Sequence, residues 1–283
     1  MTTRALVLGG GGITGIAWEI GLLHGLVELG LDLSGADLVI GTSAGSVVGA
    51  QLTNGATTDA MYERQLAPIG TFGPEPAASI GFGVTARWIG TGIRSGRDLE
   101  LLGRRLGAYA MREADRGRVP TEAERVAVIS NRLVSHEWPE RALRVTVVDA
   151  VSGAFRAFGA DDGVPLVLAV AASCAVPGVY PPISIDGNRY IDGGTRSSAN
   201  ADLAAGHDRV VALTPIAAAF PRSRGAAAQL AQTDSRHTVV APDQDARRAI
   251  GRNVLDPSAR AATARAGRAQ ARAVVDAVTQ VWG

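Results

Sequence analysis

The sequence contains a single cysteine, Cys174, among its 283 residues. One cysteine excludes an internal disulfide and a zinc site built from several thiolates. Because Cys174 lies in an apolar run, we expect a buried structural thiol. The net charge is only +1, so no global charge attracts nucleic acid or anionic lipid, and we expect no nucleic-acid partner.

Long apolar segments are also missing. The best candidate, residues 164–179, is short for a bilayer and has Pro165 and Pro177 near its ends, so we interpret it as a buried helix. The N-terminal residues lack the apolar core and the cleavage site of a signal peptide. These absences predict a cytoplasmic protein, and the length fits a single domain over residues 1–283.

Predicted strands and helices alternate at short intervals in the first fifty residues, which is typical of a parallel α/β sheet. We predict strands at 5–8, 37–40, 125–129, 144–149, 154–158 and 210–213, and a hairpin of 183–185 with 189–191. We predict helices at 16–29, 44–52, 99–118, 164–174 and 257–282.

The segment Gly41-Thr42-Ser43-Ala44-Gly45 lies between a predicted strand and a predicted helix. A sharp strand-to-helix turn at a nucleophilic serine leaves no room for side chains at the two flanking glycine positions. The helix that follows directs its N-terminal amides toward the serine. The pentapeptide alone is a weak signal in a chain with 35 glycines, but its setting favours Ser43 as a nucleophile.

A second signal is the glycine run from Gly9 to Gly12, which follows the first predicted strand. Consecutive glycines can turn several amides toward one point and so form an oxyanion hole. The alternative is dinucleotide binding, because Gly10-x-Gly12-x-x-Gly15 also matches that fingerprint. The fingerprint needs an acidic residue at the end of the second strand, where this chain has Gly41-Thr42-Ser43, and this disfavours a dinucleotide-dependent oxidoreductase.

A nucleophilic serine needs a base. The chain has four histidines, at positions 24, 136, 207 and 237. We keep His237 as the candidate, because it has the chain order of a Ser–acid–His triad. Asp192-Gly193-Gly194 follows an apolar run, and a partly buried Asp192 could accept the Ser43 proton; a simple turn is the alternative.

Together, Gly10-Gly11-Gly12, Gly41 to Gly45 and Asp192-Gly193-Gly194 resemble the ordered motifs of the patatin-like phospholipase family. Residues 171–182 are also similar to the segment that precedes the family's aspartate. The resemblance covers about residues 4–215 and implies a three-layer α/β/α fold with a mostly parallel central sheet. It further implies hydrolysis of lipid or other acyl esters, without a metal or another cofactor.

The resemblance also assigns roles to individual residues. Ser43 would be the nucleophile that forms an acyl-enzyme, and Asp192 would be the general base. The amides of Gly10, Gly11 and Gly12 would donate to the oxyanion. A catalytically silent regulatory or binding protein that retains the fold is the alternative, and the intact pair of Ser43 and Asp192 favours the enzyme.

This sequence departs from the family pattern at Thr14, where Arg or Lys usually precedes the last glycine of the loop. The loss of that cation favours a neutral ester or a lysolipid as substrate. The pattern is weakest at about residues 55–120, which we interpret as a lid-like insertion. Within it, Phe72, Phe82 and Trp88 are candidates for lining an acyl pocket, with packing in a core or lid as the alternative.

The arginine-rich helix predicted at 99–118 leaves two interpretations open, a solvated surface or peripheral contact with lipid headgroups.

Overall fold

The computed structural model describes residues 2–73, 78–216 and 224–283. The strands are β1 Arg4–Leu8, β2 Leu38–Gly41, β3 Ala142–Asp149, β4 Phe155–Phe158, β5 Ile183–Ile185, β6 Asn188–Asp192, β7 Arg209–Leu213 and β8 Arg236–Val240. The helices are α1 Gly12–Glu28, α2 Ala44–Thr53, α3 Thr58–Leu66, α4 Phe82–Ser95, α5 Leu99–Asp115, α6 Glu122–Arg132, α7 Leu166–Ser173, α8 Ala226–Leu230, α9 Gln244–Ile250 and α10 Arg260–Trp282.

All eight strands form one sheet with the order β5-β6-β3-β2-β1-β7-β8, and β4 pairs separately with β3. The strands β3, β2, β1, β7 and β8 run parallel, whereas β4 and β6 run antiparallel to β3. Starting from β1, the chain adds β2 and then β3 on one side of β1, and it later adds β7 on the other side. In parallel sheets, ligands bind beyond the carboxyl ends of the strands at such a reversal.

Alternate side chains of β1 enter different cores, as the pleat of a strand requires. Leu6 and Leu8 pack in the large core together with α1, α2, α7 and α10. Ala5 and Val7 face a second core formed with α8 and the 3₁₀ turn Ala201–Ala204. The sheet thus lies between two helical layers, which confirms the predicted α/β/α fold.

The helix α1 is held tightly on the sheet by α10. A Cβ added at Gly21 of α1 would lie 2.0 Å from the carbonyl oxygen of Ala264 on α10. Backbones that approach so closely leave no space for a side chain, so this contact requires glycine. The same helix begins at Gly12, and its tight packing therefore fixes the glycine run that precedes it.

The predicted strand at 125–129 is wrong, because these residues belong to α6. Thr121 and Glu124 form a reciprocal capping box at the start of this helix. Arg125, Val128 and Ile129 are its buried positions, with the three- and four-residue spacing of a helix. The β-branched residues that suggested a strand are therefore overridden by the N-terminal cap and by packing.

Residues 82–95, for which the sequence pattern predicted no element, form the 14-residue helix α4. The elements α3, α8, α9 and β8 were not predicted either. The predicted buried helix near residue 170 is confirmed as α7, whose Ala169, Val170 and Ala171 are fully buried. Within the described residues, no helix is both long and apolar enough to cross a membrane.

Candidate active site

Ser43 lies in the turn between β2 and α2 with φ 52° and ψ −115°. A positive φ is unfavourable for a residue with a side chain, so the surrounding structure must hold it there. The turn is closed by Gly45, where an added Cβ would lie 2.0 Å from the carbonyl oxygen of Leu8. The structure thus requires glycine at position 45, as the sequence predicted. Ser43 itself is 8% exposed and lines a cavity that is described below.

The sheet register brings Asp192 to the same place. Gly41 at the end of β2 pairs with Val145 of β3, and Asp192 at the end of β6 pairs with Val147 of that strand. The ends of β2 and β6 therefore lie two residues apart along β3. Asp192 is 5% exposed, and its side chain interacts with the Ser43 hydroxyl.

Burial raises the pKa of Asp192 to about 6. Three interactions oppose this rise by stabilising the carboxylate. They are a hydrogen bond from the Gly194 amide to Oδ1 at 2.7 Å, the interaction with the Ser43 hydroxyl, and the positive charge of Arg125. The carboxylate is therefore a stronger base than an ordinary aspartate and is still ionised at neutral pH.

The segment that follows α7 connects the two motifs, a role that the sequence did not reveal. The Ser43 amide donates to Ser173 Oγ at 2.9 Å, and the Asp192 amide donates to the carbonyl of Ala175 at 3.1 Å. Cys174 lies between them, buried as predicted, with its Sγ 3.3 Å from the carbonyl oxygen of Ser43. The sequence signal for this connecting segment was the similarity of residues 171–182 to the segment that precedes the family's aspartate.

Asn200 is a second connection that the sequence did not reveal. It is fully buried, and its Nδ2 lies within hydrogen-bond distance of Thr42 Oγ1 at 3.0 Å, Thr146 Oγ1 at 3.3 Å and the Gly193 carbonyl at 3.3 Å. One amide group thus contacts the serine turn, β3 and the aspartate loop. The Asn200 side chain holds these three segments together. Asn200 is not among the described residues that line the cavity beside Ser43.

The glycine run corrects one predicted role. The Gly10 amide donates to the Ser198 carbonyl at 2.7 Å, so it is not free to bind an oxyanion. Within the described part of the chain, the amides of Gly11 and Gly12 have no hydrogen-bond acceptor. Because α1 starts at Gly12 and α2 follows Ser43, the N-termini of two helices meet at this point and favour negative charge.

His237 is not near the serine. It lies on β8 opposite Val210 of β7, with Nδ1 3.0 Å from the carbonyl oxygen of Ser235. Two strands, β7 and β1, separate β8 from β2, a distance of roughly 14 Å. None of the four histidines lines the cavity described for Ser43. His237 has the chain order of a triad base, but the fold places it too far from Ser43 to act as one.

Ser43 and Asp192 border a cavity of about 350 Å³, the size of a small-ligand pocket. Its apolar wall includes side chains from the segment 55–120, namely Ile80, Trp88, Ile89, Leu102 and Leu106. Trp88 is held there by a hydrogen bond from Nε1 to the Pro177 carbonyl at 3.0 Å. Of the three candidate aromatics, only Trp88 lines this cavity; Phe72 lines a different one, and Phe82 is exposed.

A buried cation, Arg125, lies behind the serine turn. Its guanidinium is 3.7 Å from the ring centre of Tyr180, and Nη2 donates to the Cys174 carbonyl at 3.4 Å. Together with Ser43 it lines a narrow crevice of about 20 Å³. Its charge stabilises the ionised form of Asp192 from a different element of the chain.

Thr14 occupies the position where the family pattern has a cation. Its side chain is fully buried, and its hydroxyl lies 3.3 Å from the carbonyl oxygen of Val254. A charged side chain at this position would therefore have to displace the loop that contains Val254. Arg125 provides a cation near Ser43 from α6 instead.

The dinucleotide alternative has no acidic residue where it needs one. Asp37 lies at the opposite end of β2, where it accepts a hydrogen bond from the Arg4 amide at 2.7 Å. Thr42, which follows the strand, bonds through its hydroxyl to Thr146 Oγ1 at 2.8 Å. Among the residues that the structure describes, no group of three His, Cys, Asp or Glu side chains could hold a metal ion.

Residues 6–205 match the family model described as patatin-like phospholipase. The chain belongs to this family. Membership supports a hydrolase that acts on lipid esters. No curated protein matches the chain.

Among solved structures, the chain matches VipD from Legionella pneumophila, with a TM-score of 0.48 and 14% identity over 98% of this chain and 67% of that chain. Another is the type III effector protein ExoU, with a TM-score of 0.41 and 16% identity over 97% of this chain and 53% of that chain. The chain therefore spans about two thirds of VipD and about half of ExoU.

Proposed function

We propose that this patatin-like protein hydrolyses carboxylic esters of lipids through a dyad of Ser43 and Asp192. The observation that carries the proposal is their convergence: a serine with a positive φ and a buried carboxylate of raised pKa meet at one apolar cavity. Burial makes the Asp192 carboxylate a stronger base, which supports its acting as the general base without a histidine.

In the first step, Asp192 accepts the proton of the Ser43 hydroxyl while Oγ forms a bond to the ester carbonyl carbon. The negative charge that develops on the carbonyl oxygen is stabilised by the free amides of Gly11 and Gly12. When the tetrahedral intermediate collapses, the carbon–oxygen bond to the alcohol breaks. Asp192 returns the proton to the departing alcohol, which leaves an acyl-enzyme on Ser43.

In the second step, water replaces the alcohol. Asp192 accepts a proton from the water as its oxygen bonds to the acyl carbon. The bond between that carbon and Ser43 Oγ then breaks, and the serine regains its proton. The products are a free carboxylic acid and the original enzyme, so no oxidant, metal or cofactor is required.

The shape of the cavity favours a substrate with an acyl chain beside the reacting serine. The wall formed by α4 and α5 is apolar, and the volume of about 350 Å³ suits a single chain better than a bulky lipid. The absence of a cation at position 14 further favours a neutral ester or a lysolipid over a substrate recognised by its phosphate.

The test is turnover of dissolved p-nitrophenyl esters of graded chain length. Ser43→Ala and Asp192→Ala should each lower kcat by on the order of 10⁴ or more. Ser34→Ala, which removes a serine hydroxyl that donates to Asp32 Oδ2 at 2.8 Å, is the matched control and should keep full activity. Turnover that survives Ser43→Ala would reject the dyad, and a chain inactive on every ester would indicate a silent binding protein.

A further inference from the structure

One helix of the segment 55–120 exposes large apolar side chains. Phe82, Ile89 and Ile93 of α4 are 90%, 57% and 65% exposed. Their spacing along the helix places them on a single line, which we call the α4 crest. Large apolar side chains exposed along one face of a helix can mark a surface that is covered in use.

The cavity opens on one flank of the α4 crest. Trp88, Ile89 and Gly92 line the cavity that contains Ser43. Ile89 is therefore part of both the crest and the cavity wall. Because Ile89 lines the cavity and is also 57% exposed, we define its position as the cavity mouth, and anything that covers the crest also lies there.

The other flank of the crest is positively charged. Four exposed arginines line a groove between α4 and α5: Arg87, Arg94, Arg105 and Arg112. Arg87 lies 5.0 Å from the ring centre of Tyr109, and Arg105 donates to Ser95 Oγ at 3.3 Å. In the ranges 2–73, 78–216 and 224–283, none of the four is paired with a carboxylate. Their charge is thus available to an anionic partner.

We propose that the α4 crest and its flanking arginines dock the protein on an anionic phospholipid surface, with the cavity mouth facing the lipid. Apolar side chains beside a row of arginines are the combination that binds the headgroup boundary of such a membrane. An acidic protein would match the charge alone. A lipid surface also explains why the apolar row borders the cavity, because an ester could then reach Ser43 without crossing water.

This inference rests on the proposed function, since it describes how that site meets its substrate. Binding is measured by co-sedimentation of the full chain with vesicles of phosphatidylcholine alone and of phosphatidylcholine mixed with phosphatidylglycerol. The Ser43→Ala background is used so that hydrolysis does not alter the vesicles. We expect binding to the mixed vesicles that weakens with salt, and much weaker binding to the neutral vesicles.

Two double variants test the surface. Arg87→Gln with Arg94→Gln, and Phe82→Ser with Ile93→Ser, should each weaken binding to the mixed vesicles by about tenfold or more. The matched control is Arg265→Gln with Arg272→Gln, which removes two exposed arginines from α10 and should leave binding unchanged. Equal binding by both α4 variants and the control would overturn the proposal, as would equal binding to neutral and anionic vesicles.

The same variants on the active background separate this proposal from the proposed function. Both α4 variants should keep the turnover of dissolved p-nitrophenyl butyrate and lose the hydrolysis of lysophosphatidylcholine incorporated in the mixed vesicles. Vesicle binding that depends on α4 in a chain without esterase activity would preserve the docking surface and reject the proposed function. Binding to soluble heparin but not to any vesicle would overturn the docking surface in favour of an acidic partner.

Discussion

Gly41 and Asp192 pair with the same strand, opposite Val145 and Val147 of β3. The serine turn and the carboxylate are therefore positioned by the sheet register, although they are far apart in the chain. A slip of one residue between β3 and β6 would turn Asp192 to the other face of the sheet. The rigidity of the sheet thus sets the geometry of the proposed dyad.

The backbone at Ser43 stores strain that a substitution can release. Glycine adopts a φ of 52° without penalty, whereas alanine keeps the strain. We expect Ser43→Gly to have a free energy of unfolding about 1 kcal/mol higher than that of Ser43→Ala. Urea titration of the two inactive variants measures this difference. A glycine variant no more stable than the alanine variant would mean that the turn is not strained.

The pKa of Asp192 predicts an acid limit to activity. A base must be ionised to act, so kcat/KM should fall as the pH decreases through about 6. Removing the buried positive charge with Arg125→Met should raise the pKa of Asp192 and move this limb to higher pH, whereas Arg125→Lys should move it less. A pH profile of each variant checks the shift. A variant that lowers activity equally at every pH would assign Arg125 a purely structural role.

The same raised pKa has a consequence for stability. The folded chain holds the Asp192 proton more tightly than the unfolded chain, so the contribution of this group to stability decreases as pH rises from about 4 to about 6. Above that range the buried charge destabilises the fold by up to about 3 kcal/mol. We expect Asp192→Asn to stabilise the protein at neutral pH while abolishing activity.

Thermal or urea unfolding at neutral and acidic pH measures this effect. The stability gain of Asp192→Asn over the parent should shrink as the pH falls below the raised pKa. A gain of the same size at both pH values would show that it comes from packing and not from the removal of a buried charge.

Two glycines of the loop should respond differently to alanine. A Cβ at Gly10 would lie 3.4 Å from the Cβ of Ser43, an ordinary contact, so Gly10→Ala should fold and lower activity by crowding the serine. Gly12 has a φ of +62°, and an added Cβ would lie 2.6 Å from the carbonyl oxygen of Val254. Gly12→Ala should therefore lower the Tm as well. Similar Tm losses in both variants would contradict this distinction.

The features that could be predicted from the sequence are those set by local geometry. The need for glycine at position 45 is a steric condition between neighbouring elements, with the Leu8 carbonyl 2.0 Å from an added Cβ. The strand, glycine run and helix at the start of the chain follow from local pattern in the same way. The pairing of Asp192 with the serine turn came from the family resemblance, because residues alone left Asp192-Gly193-Gly194 as a simple turn.

The features that could not be predicted depend on partners distant in the chain. Whether the Gly10 amide is free depends on the Ser198 carbonyl, and the contacts of Asn200 arise only when three segments assemble. The helix α4 was missed because its apolar residues face outward instead of into a core, and its glycines weaken helical propensity. The contacts of Gly10 and Asn200 are tertiary effects without a local pattern, whereas α4 was missed because its own composition weakens the local signal.

The central claim is that Ser43 is the nucleophile, and labelling with a fluorophosphonate followed by peptide mass spectrometry tests it most directly. The probe should form one adduct, on the peptide that contains Ser43, at a rate that falls sharply in Asp192→Ala and is unchanged in His237→Ala. An adduct on a different side chain, or labelling of Asp192→Ala at the parent rate, would contradict the claim.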